Sequence, residues 1–325
     1  MMKMKIWCNL TLGEAEQQLL LEGLRGHEFI ESPVAATSVL AEAEPDETLY
    51  EADIALGQPT PEDVLKAPNL KFLQITSAGY TRYDTAEFRA GVQARNIVVA
   101  NSSSVYDLPC AEHLMSFMLA QSRNLPAALA GNTCENGAPE WNVLRAGCRP
   151  LAGQSVLILG YGAIGEMFVQ LLAPFKMDVT AVRRTPTGRE RVRTLALDAL
   201  PEVLGQADHV VNILPDSTET SNFVDAKFLS LMKAGAAFYN IGRGTTVNQA
   251  DLAAALSSNH IHSAWLDVTD PEPLPQAHPL RRLANCHITP HTAGGHQGES
   301  LSVIRHFLEN LAAFESGQAI RNRIM

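Results

Sequence analysis

Short apolar runs alternate along this chain with longer stretches in which apolar positions return every three or four residues. In the first hundred residues the runs are KIWC (5–8), ADIALG (52–57), LKFLQITSAG (70–79) and NIVVAN (96–101). Between them lie GEAEQQLLLEGL (13–24) and TPEDVLKAP (60–68). The first kind of run reads as strand and the second as helix, and their alternation predicts βαβ units on a parallel sheet. In VYDLPCAEHLMSFMLAQSRNLPAALAG (105–131), Leu114, Met115, Met118 and Leu119 recur at helical spacing, which predicts one long apolar helix.

A second, more regular series follows. Its strands are SVLILG (155–160), DVTAV (178–182), HVVNIL (209–214), AAFYNIG (236–242), HSAWLDV (262–268) and CHITP (286–290). The first five contain no proline and are mostly apolar throughout, as strands covered on both faces are. The amphipathic stretch GESLSVIRHFLENLAAFESG (298–317) predicts a last helix, expected to pack back on the first unit. The fold class is therefore α/β, with two doubly wound parallel-sheet domains, the central one spanning about 103–291.

Bulk properties agree and remove other classes. A chain of 325 residues is long for a single core. Hydrophobic content of 46% and charged content of 18% are those of an ordinary globular protein. A net charge of −10 argues against nucleic acid as a partner. Cys8, Cys110, Cys134, Cys148 and Cys286 are scattered and show no metal-ligand spacing, so neither a disulfide framework nor a metal site is expected. MMKMKIWCNL lacks the apolar core of a signal peptide, and no run reaches the roughly 18 residues of a membrane span. The expectation is a cytoplasmic protein with no membrane partner.

The first chemistry-bearing motif is GYGAIG, which places Gly160, Gly162 and Gly165 in the G-x-G-x-x-G spacing. It follows an apolar strand and opens a helix, the context in which this motif binds the pyrophosphate of a dinucleotide at a helix N-terminus. The next strand ends in AVRRTP, with no acid at Ala181, Val182, Arg183 or Arg184 to hold the two ribose hydroxyls of NAD. A guanidinium there would instead grip a 2′-phosphate by charge-assisted hydrogen bonds, and Thr185 could add a hydroxyl. Over residues 183–193 five arginines stand against one acid, Glu190. Arg183 and Arg184 are thus read as the 2′-phosphate site of NADP(H), with NAD(H) still possible, and Arg189, Arg191 and Arg193 as surface residues.

Four further stretches join GYGAIG in a fixed order around it: ITSAGYTRYD (75–84), NIGRG (240–244), LDVTDPEPL (266–274) and ITPHTAGG (288–295). Together they resemble the D-isomer-specific 2-hydroxyacid dehydrogenase family, over about residues 50–316, and within it the NADPH-preferring glyoxylate/hydroxypyruvate reductase-like branch. NSSSVYDLPCAEHLMSFMLAQSR (101–123) is similar to that family's helix leading into the cofactor domain.

The resemblance implies a Rossmann cofactor domain over 103–291. It also implies a flavodoxin-like substrate domain from 1–102 with 292–325, and a homodimer built on the cofactor domains. Arg243 matches the family's substrate arginine, whose planar fork suits a carboxylate and the adjacent keto oxygen. His291 matches its acid/base histidine, and Glu272 the glutamate that holds one ring nitrogen and stabilises the imidazolium. Ser77, Ala78 and Gly79 match the turn that offers backbone N–H groups to the substrate carboxylate, although Tyr80 departs from the usual smaller residue. Cofactor contacts would run along Gly160, Tyr161, Gly162, Ala163, Ile164 and Gly165, then Arg183, Arg184 and Thr185. They would continue through Leu214, Pro215, Thr220, Ile241, Gly242, Asp267, His291 and Gly294, with Asp267 near the nicotinamide carboxamide. His287 and His296 are read as bystanders and His113 as a helix-packing or interface residue.

The expected activity is reduction of a small 2-oxoacid by NADPH to the D-2-hydroxyacid. Two alternatives stand beside it: a dinucleotide-sensing, corepressor-like binding protein on the same fold, and an NAD-dependent D-2-hydroxyacid dehydrogenase with a larger substrate. Turnover separates the first alternative from an enzyme.

Overall fold

The computed structural model describes residues 3–36 and 44–325, and the chain divides into two units. The first comprises Met1–Tyr106 with His296–Met325, the second Asp107–Gly295. Both are built on parallel sheets, with helices between most consecutive strands.

In the first unit the strands are β1 (Lys5–Leu10), β2 (Glu28–Ala36), β3 (Ile54–Gly57), β4 (Phe72–Ile75) and β5 (Val98–Ala100). Among the described residues they form one sheet in the order β2-β1-β3-β4-β5, the flavodoxin-like order. Its helices are α1 (Glu14–Gly23), α2 (Pro61–Lys66) and α3 (Ala86–Ala94), and α4 (Ser103–Ser122) carries the chain into the second unit. β3 and β4 are buried at every position, which is why they are legible as unbroken apolar runs. β2 lies at a sheet edge and alternates in burial, with Glu28, Glu31 and Pro33 in its sequence, so no apolar run announces it.

The last helix returns to this unit. Val303, Ile304, Phe307 and Leu311 join Ile6, Cys8, Leu20, Ile54 and Phe72 in one apolar cluster. At Gly23 an added Cβ would lie 2.5 Å from Leu308 Cδ1, so the glycine lets the first and last helices approach closely. Beyond that helix the chain pairs with the β5 edge, where Val99 N donates to Met325 O and Asn101 N to Asn322 O.

The second unit opens with the rest of α4, then α5 (Leu125–Ala130) and α6 (Pro139–Ala146). The single helix expected over 105–131 is broken: Asn124 is left-handed at φ 50° and Pro126 stands in the first turn of α5. Proline suits a helix start, whereas in a helix interior it would displace a backbone hydrogen bond.

The strands that follow are β6 (Ser155–Leu159), β7 (Asp178–Val182), β8 (Arg193–Leu195), β9 (His209–Asn212), β10 (Ala237–Asn240), β11 (Ser263–Leu266) and β12 (Cys286–Ile288). Between them lie α7 (Ala163–Leu172), α8 (Leu200–Leu204), α9 (Ala226–Leu231) and α10 (Gln249–Ser257), and α11 (Glu299–Glu315) is the last helix already described. The sheet order is β12-β11-β10-β9-β6-β7-β8, so β6 sits where the winding reverses. In such sheets ligands bind outside the C-terminal ends of the strands at that point. β9, β10 and β11 are buried at every position.

Candidate active site

The loop after β6 shows three glycines with three different reasons. Gly160 has φ +93°, a conformation that favours glycine. An added Cβ at Gly165 would lie 3.0 Å from Gly160 O, so α7 packs closely on the turn. At Gly162, which precedes the first residue of α7, an added Cβ would meet nothing within 4 Å. That bare face beside the first free N–H groups of α7 fits a pyrophosphate. Tyr161 is buried, with its ring against the Gly165 side of the turn. Ala163 and Ile164 form the opening of α7.

β7 ends at Val182, and Arg183 N donates to Leu195 O of β8. Arg183 Nη1 lies 3.1 Å from Glu190 Oε1, and Glu190 also accepts from Thr187 N at 2.7 Å and Thr187 Oγ1 at 2.9 Å. The Thr187 N–H, foremost among these donors, holds the Glu190 carboxyl down to about 2. Arg184 pairs with Glu219 across an exposed surface. Thr185 is exposed beside them. Both arginines read as phosphate ligands therefore already face a carboxylate.

The loops after β9 and β10 are fitted to each other. At Gly242 an added Cβ would lie 2.6 Å from Leu214 O, and at Gly244 it would overlap the Thr269 backbone. Two buried asparagines, unremarked in the sequence, set these loops. Asn212 Oδ1 accepts from Leu214 N at 3.2 Å, and Asn212 Nδ2 donates to Asn240 Oδ1 at 3.2 Å and Thr246 Oγ1 at 2.7 Å. Asn240 Oδ1 accepts from Gly242 N at 3.0 Å, and its Nδ2 donates to Arg243 O at 3.1 Å. Their signal was a polar residue closing each of two apolar runs. Ile241 is buried between these turns. Pro215 is exposed, and the Thr220 hydroxyl donates to Pro215 O at 2.6 Å, so that threonine closes its own turn.

Arg243 stands just past β10, half-buried, with Nη1 donating to Gly242 O at 2.7 Å. Glu272 Oε1 accepts from Thr269 N at 2.9 Å, and Glu272 Oε2 lies 2.8 Å from His291 Nδ1. Burial pushes the Glu272 carboxyl up. The hydrogen bonds from His291 and Thr269 N–H, with the charges of His291 and Arg243, outweigh burial and hold it below its usual value. An ionised Glu272 accepts from Nδ1–H, so Nε2 is the nitrogen left for a substrate.

His291 has φ +53°, and its turn is pinned by Asp267. Asp267 O accepts from His291 N at 2.9 Å. Asp267 Oδ1 accepts from Thr289 Oγ1 at 2.6 Å and Thr292 N at 2.8 Å, and Oδ2 from Ala293 N at 2.9 Å. The residue read as a carboxamide ligand is thus 2% exposed and spends its carboxylate on the turn that carries His291. Gly294 follows in the same turn. His113 does more than pack: its Nε2 lies 3.2 Å from Thr289 Oγ1 and 3.6 Å from Asp267 Oδ1. Burial lowers its pKa, with Asp267 opposing. The His287 ring lies tilted against Trp265, with ring centroids 4.1 Å apart.

The second unit therefore brings together Arg243, Glu272, His291 and Asp267 at the ends of neighbouring strands. Ser77, Ala78 and Gly79 belong to the first unit, just past β4. There Ser77 Oγ accepts from Gln58 Nε2 at 2.9 Å and donates to Gly79 O at 2.6 Å, and Asn101 Nδ2 donates to Ala78 O at 2.7 Å. The turn is firmly built. Among the described residues, no helix is long and apolar enough to cross a membrane.

Known proteins resemble this chain over most of its length. The sequence profile of the D-isomer specific 2-hydroxyacid dehydrogenase NAD-binding domain matches residues 115–293. Human glyoxylate reductase/hydroxypyruvate reductase is 35% identical over 69% of this chain and 67% of its own. Glyoxylate/hydroxypyruvate reductase B of Escherichia fergusonii is 30% identical over 79% of this chain and 78% of its own. A D-isomer specific 2-hydroxyacid dehydrogenase from Xanthobacter autotrophicus, solved in complex with NADPH and MES, superposes with a TM-score of 0.79 at 26% identity. It covers 100% of this chain and 98% of that one. An oxidoreductase with a parallel-sheet NAD(P)-binding domain, this chain belongs to the D-isomer specific 2-hydroxyacid dehydrogenase family.

Proposed function

We propose that the protein reduces a small 2-oxoacid, of the glyoxylate or hydroxypyruvate kind, to the D-2-hydroxyacid with NADPH. The observation that carries the chemistry is the Glu272–His291 pair, which orients Nε2 outward on the same strand ends as Arg243. With a dinucleotide bound against the bare Gly162 face and the loops after β7, β9 and β10, its nicotinamide would supply the hydride. Arg243 binds the substrate carboxylate and draws electron density from the keto oxygen through its fork. His291 Nε2 gives its proton to that oxygen, and Glu272 stabilises the imidazolium before transfer. Asp267 keeps the His291 turn in place.

NADPH is favoured by what ends β7. Arg183 and Arg184 stand where a carboxylate would repel a 2′-phosphate, and a similar protein was solved with NADPH bound. Arg183 uses Nη1 on Glu190 and retains further N–H groups for the phosphate. Relatives named glyoxylate/hydroxypyruvate reductases support the small substrate. The exposed Leu125, Leu129 and Val143 of α5 and α6 supply an apolar face for a homodimer through this unit. Arg183→Ala tests the cofactor reading. Loss of charge-assisted hydrogen bonds should weaken NADPH about 10- to 100-fold and NADH far less. Equal weakening of both contradicts it.

A further inference from the structure

The Arg184–Glu219 ion pair joins two loops that serve different strands. Arg184 is the second residue past β7, and Glu219 lies in the turn after β9. β7 and β9 pair with opposite edges of β6. The bridge therefore crosses the C-terminal end of β6, above the glycine loop, where the winding of the sheet reverses. That crevice is where the adenosine half of a dinucleotide lies in this kind of sheet.

We propose that Arg184 and Glu219 form a strap across the adenosine crevice, which either dinucleotide must open and which only a 2′-phosphate replaces. Both side chains are largely exposed, 79% and 69%, so the strap is a weak, water-screened pair that a ligand can displace. The turn beneath Glu219 is built to stay. Ser217 Oγ and Thr220 Oγ1 are 2.9 Å apart, Thr220 Oγ1 donates to Pro215 O at 2.6 Å, and Thr245 Oγ1 donates to Asp216 at 2.8 Å. Opening is then a matter of two side chains and not of the loop.

The neighbouring pair behaves differently. The Glu190 side chain is 4% exposed and is held by Thr187 as well as by Arg183, so it keeps its place when a cofactor arrives. Arg184 is the exchangeable cation. With NADPH it trades a carboxylate for the 2′-phosphate; with NADH it loses one partner and gains none. This inference rests on the reading of the glycine loop and the β7 arginines as the dinucleotide site, and its test separates the two.

The measurement is direct binding of NADH and NADPH, by titrating nucleotide fluorescence without substrate. Glu219→Gln should tighten both cofactors by about two- to fivefold, the range a surface ion pair spans. Arg184→Ala should act with opposite signs, tightening NADH by a similar factor and weakening NADPH. NADH affinity unchanged in both variants overturns the strap. NADPH affinity unchanged in Arg184→Ala, with NADH tightened, overturns the exchange with the 2′-phosphate and removes Arg184 from the phosphate site.

Discussion

Glu272 Oε2 stands 2.8 Å from His291 Nδ1, and with this contact it decides which histidine nitrogen faces outward. The same glutamate is tied to Thr269 N through its other oxygen, so the histidine is oriented by a carboxylate that is itself oriented. Glu272→Gln removes the negative charge that favours the imidazolium. Reduction takes its proton from that ring, so kcat for the oxoacid should fall about 100-fold or more, the range spanned by acid–base catalysis, with NADPH affinity changed little. A wild-type kcat would take Glu272 out of the proton step.

Arg243→Lys keeps the charge and loses the planar fork. Its place between Gly242 and Gly244, both too crowded for a Cβ, leaves little freedom for a flexible side chain to find the substrate by another route. Steady-state rates should show kcat/KM for the oxoacid down about 100-fold or more, with NADPH affinity changed little. Full activity would mean that a point charge suffices.

Phe307 tests the return of α11 to the first unit. It is fully buried, 6.4 Å from the Phe72 ring and within the same apolar cluster as Ile6 and Leu20. Phe307→Ala should destabilise the protein by about 3–5 kcal/mol in denaturant unfolding, the range for a large core truncation. A loss well below that would mean that α11 is peripheral to the core.

His209 makes stability depend on pH. It is buried, with Nε2 2.9 Å from Gln154 Oε1 and Nδ1 2.9 Å from Tyr239 Oη, an arrangement that a neutral ring satisfies with one donor and one acceptor. Burial lowers its pKa from 6.5 to about 4, with Asp208 opposing. Between those values the unfolded chain binds the proton and the folded chain does not. The contribution is therefore complete above pH 6.5 and is lost as pH falls toward 4, by up to about 3 kcal/mol. His209→Gln should flatten the fall of melting temperature across that window. An unchanged slope would assign the acid sensitivity elsewhere.

What the sequence made legible follows from burial. β9, β10 and β11 are covered on both faces, so each is a plain apolar run, and the glycine loop, Glu272 and His291 sit at fixed distances from such runs. Edge strands β2 and β8 escape the same reading because their outward positions carry charges and a proline. Asn124 breaks the long helix through a single left-handed residue, a local event that periodicity averages away. The supports of the site were hidden for another reason. Asn212 meets Asn240 across 28 residues, His113 meets Thr289 across 176, and Arg184 meets Glu219 across 35. Spacing along a chain does not report pairs that only the sheet brings together. Asp267 was visible, but as a ligand; its bonds to Thr289, Thr292 and Ala293 show a second task.

The measurement closest to the central claim is initial rates with glyoxylate and with hydroxypyruvate, each with NADPH and with NADH, followed by the loss of reduced nucleotide. The account predicts turnover with at least one oxoacid, faster with NADPH, and a collapse of that turnover in His291→Ala. Turnover of neither acid, or wild-type rates in His291→Ala, would contradict it.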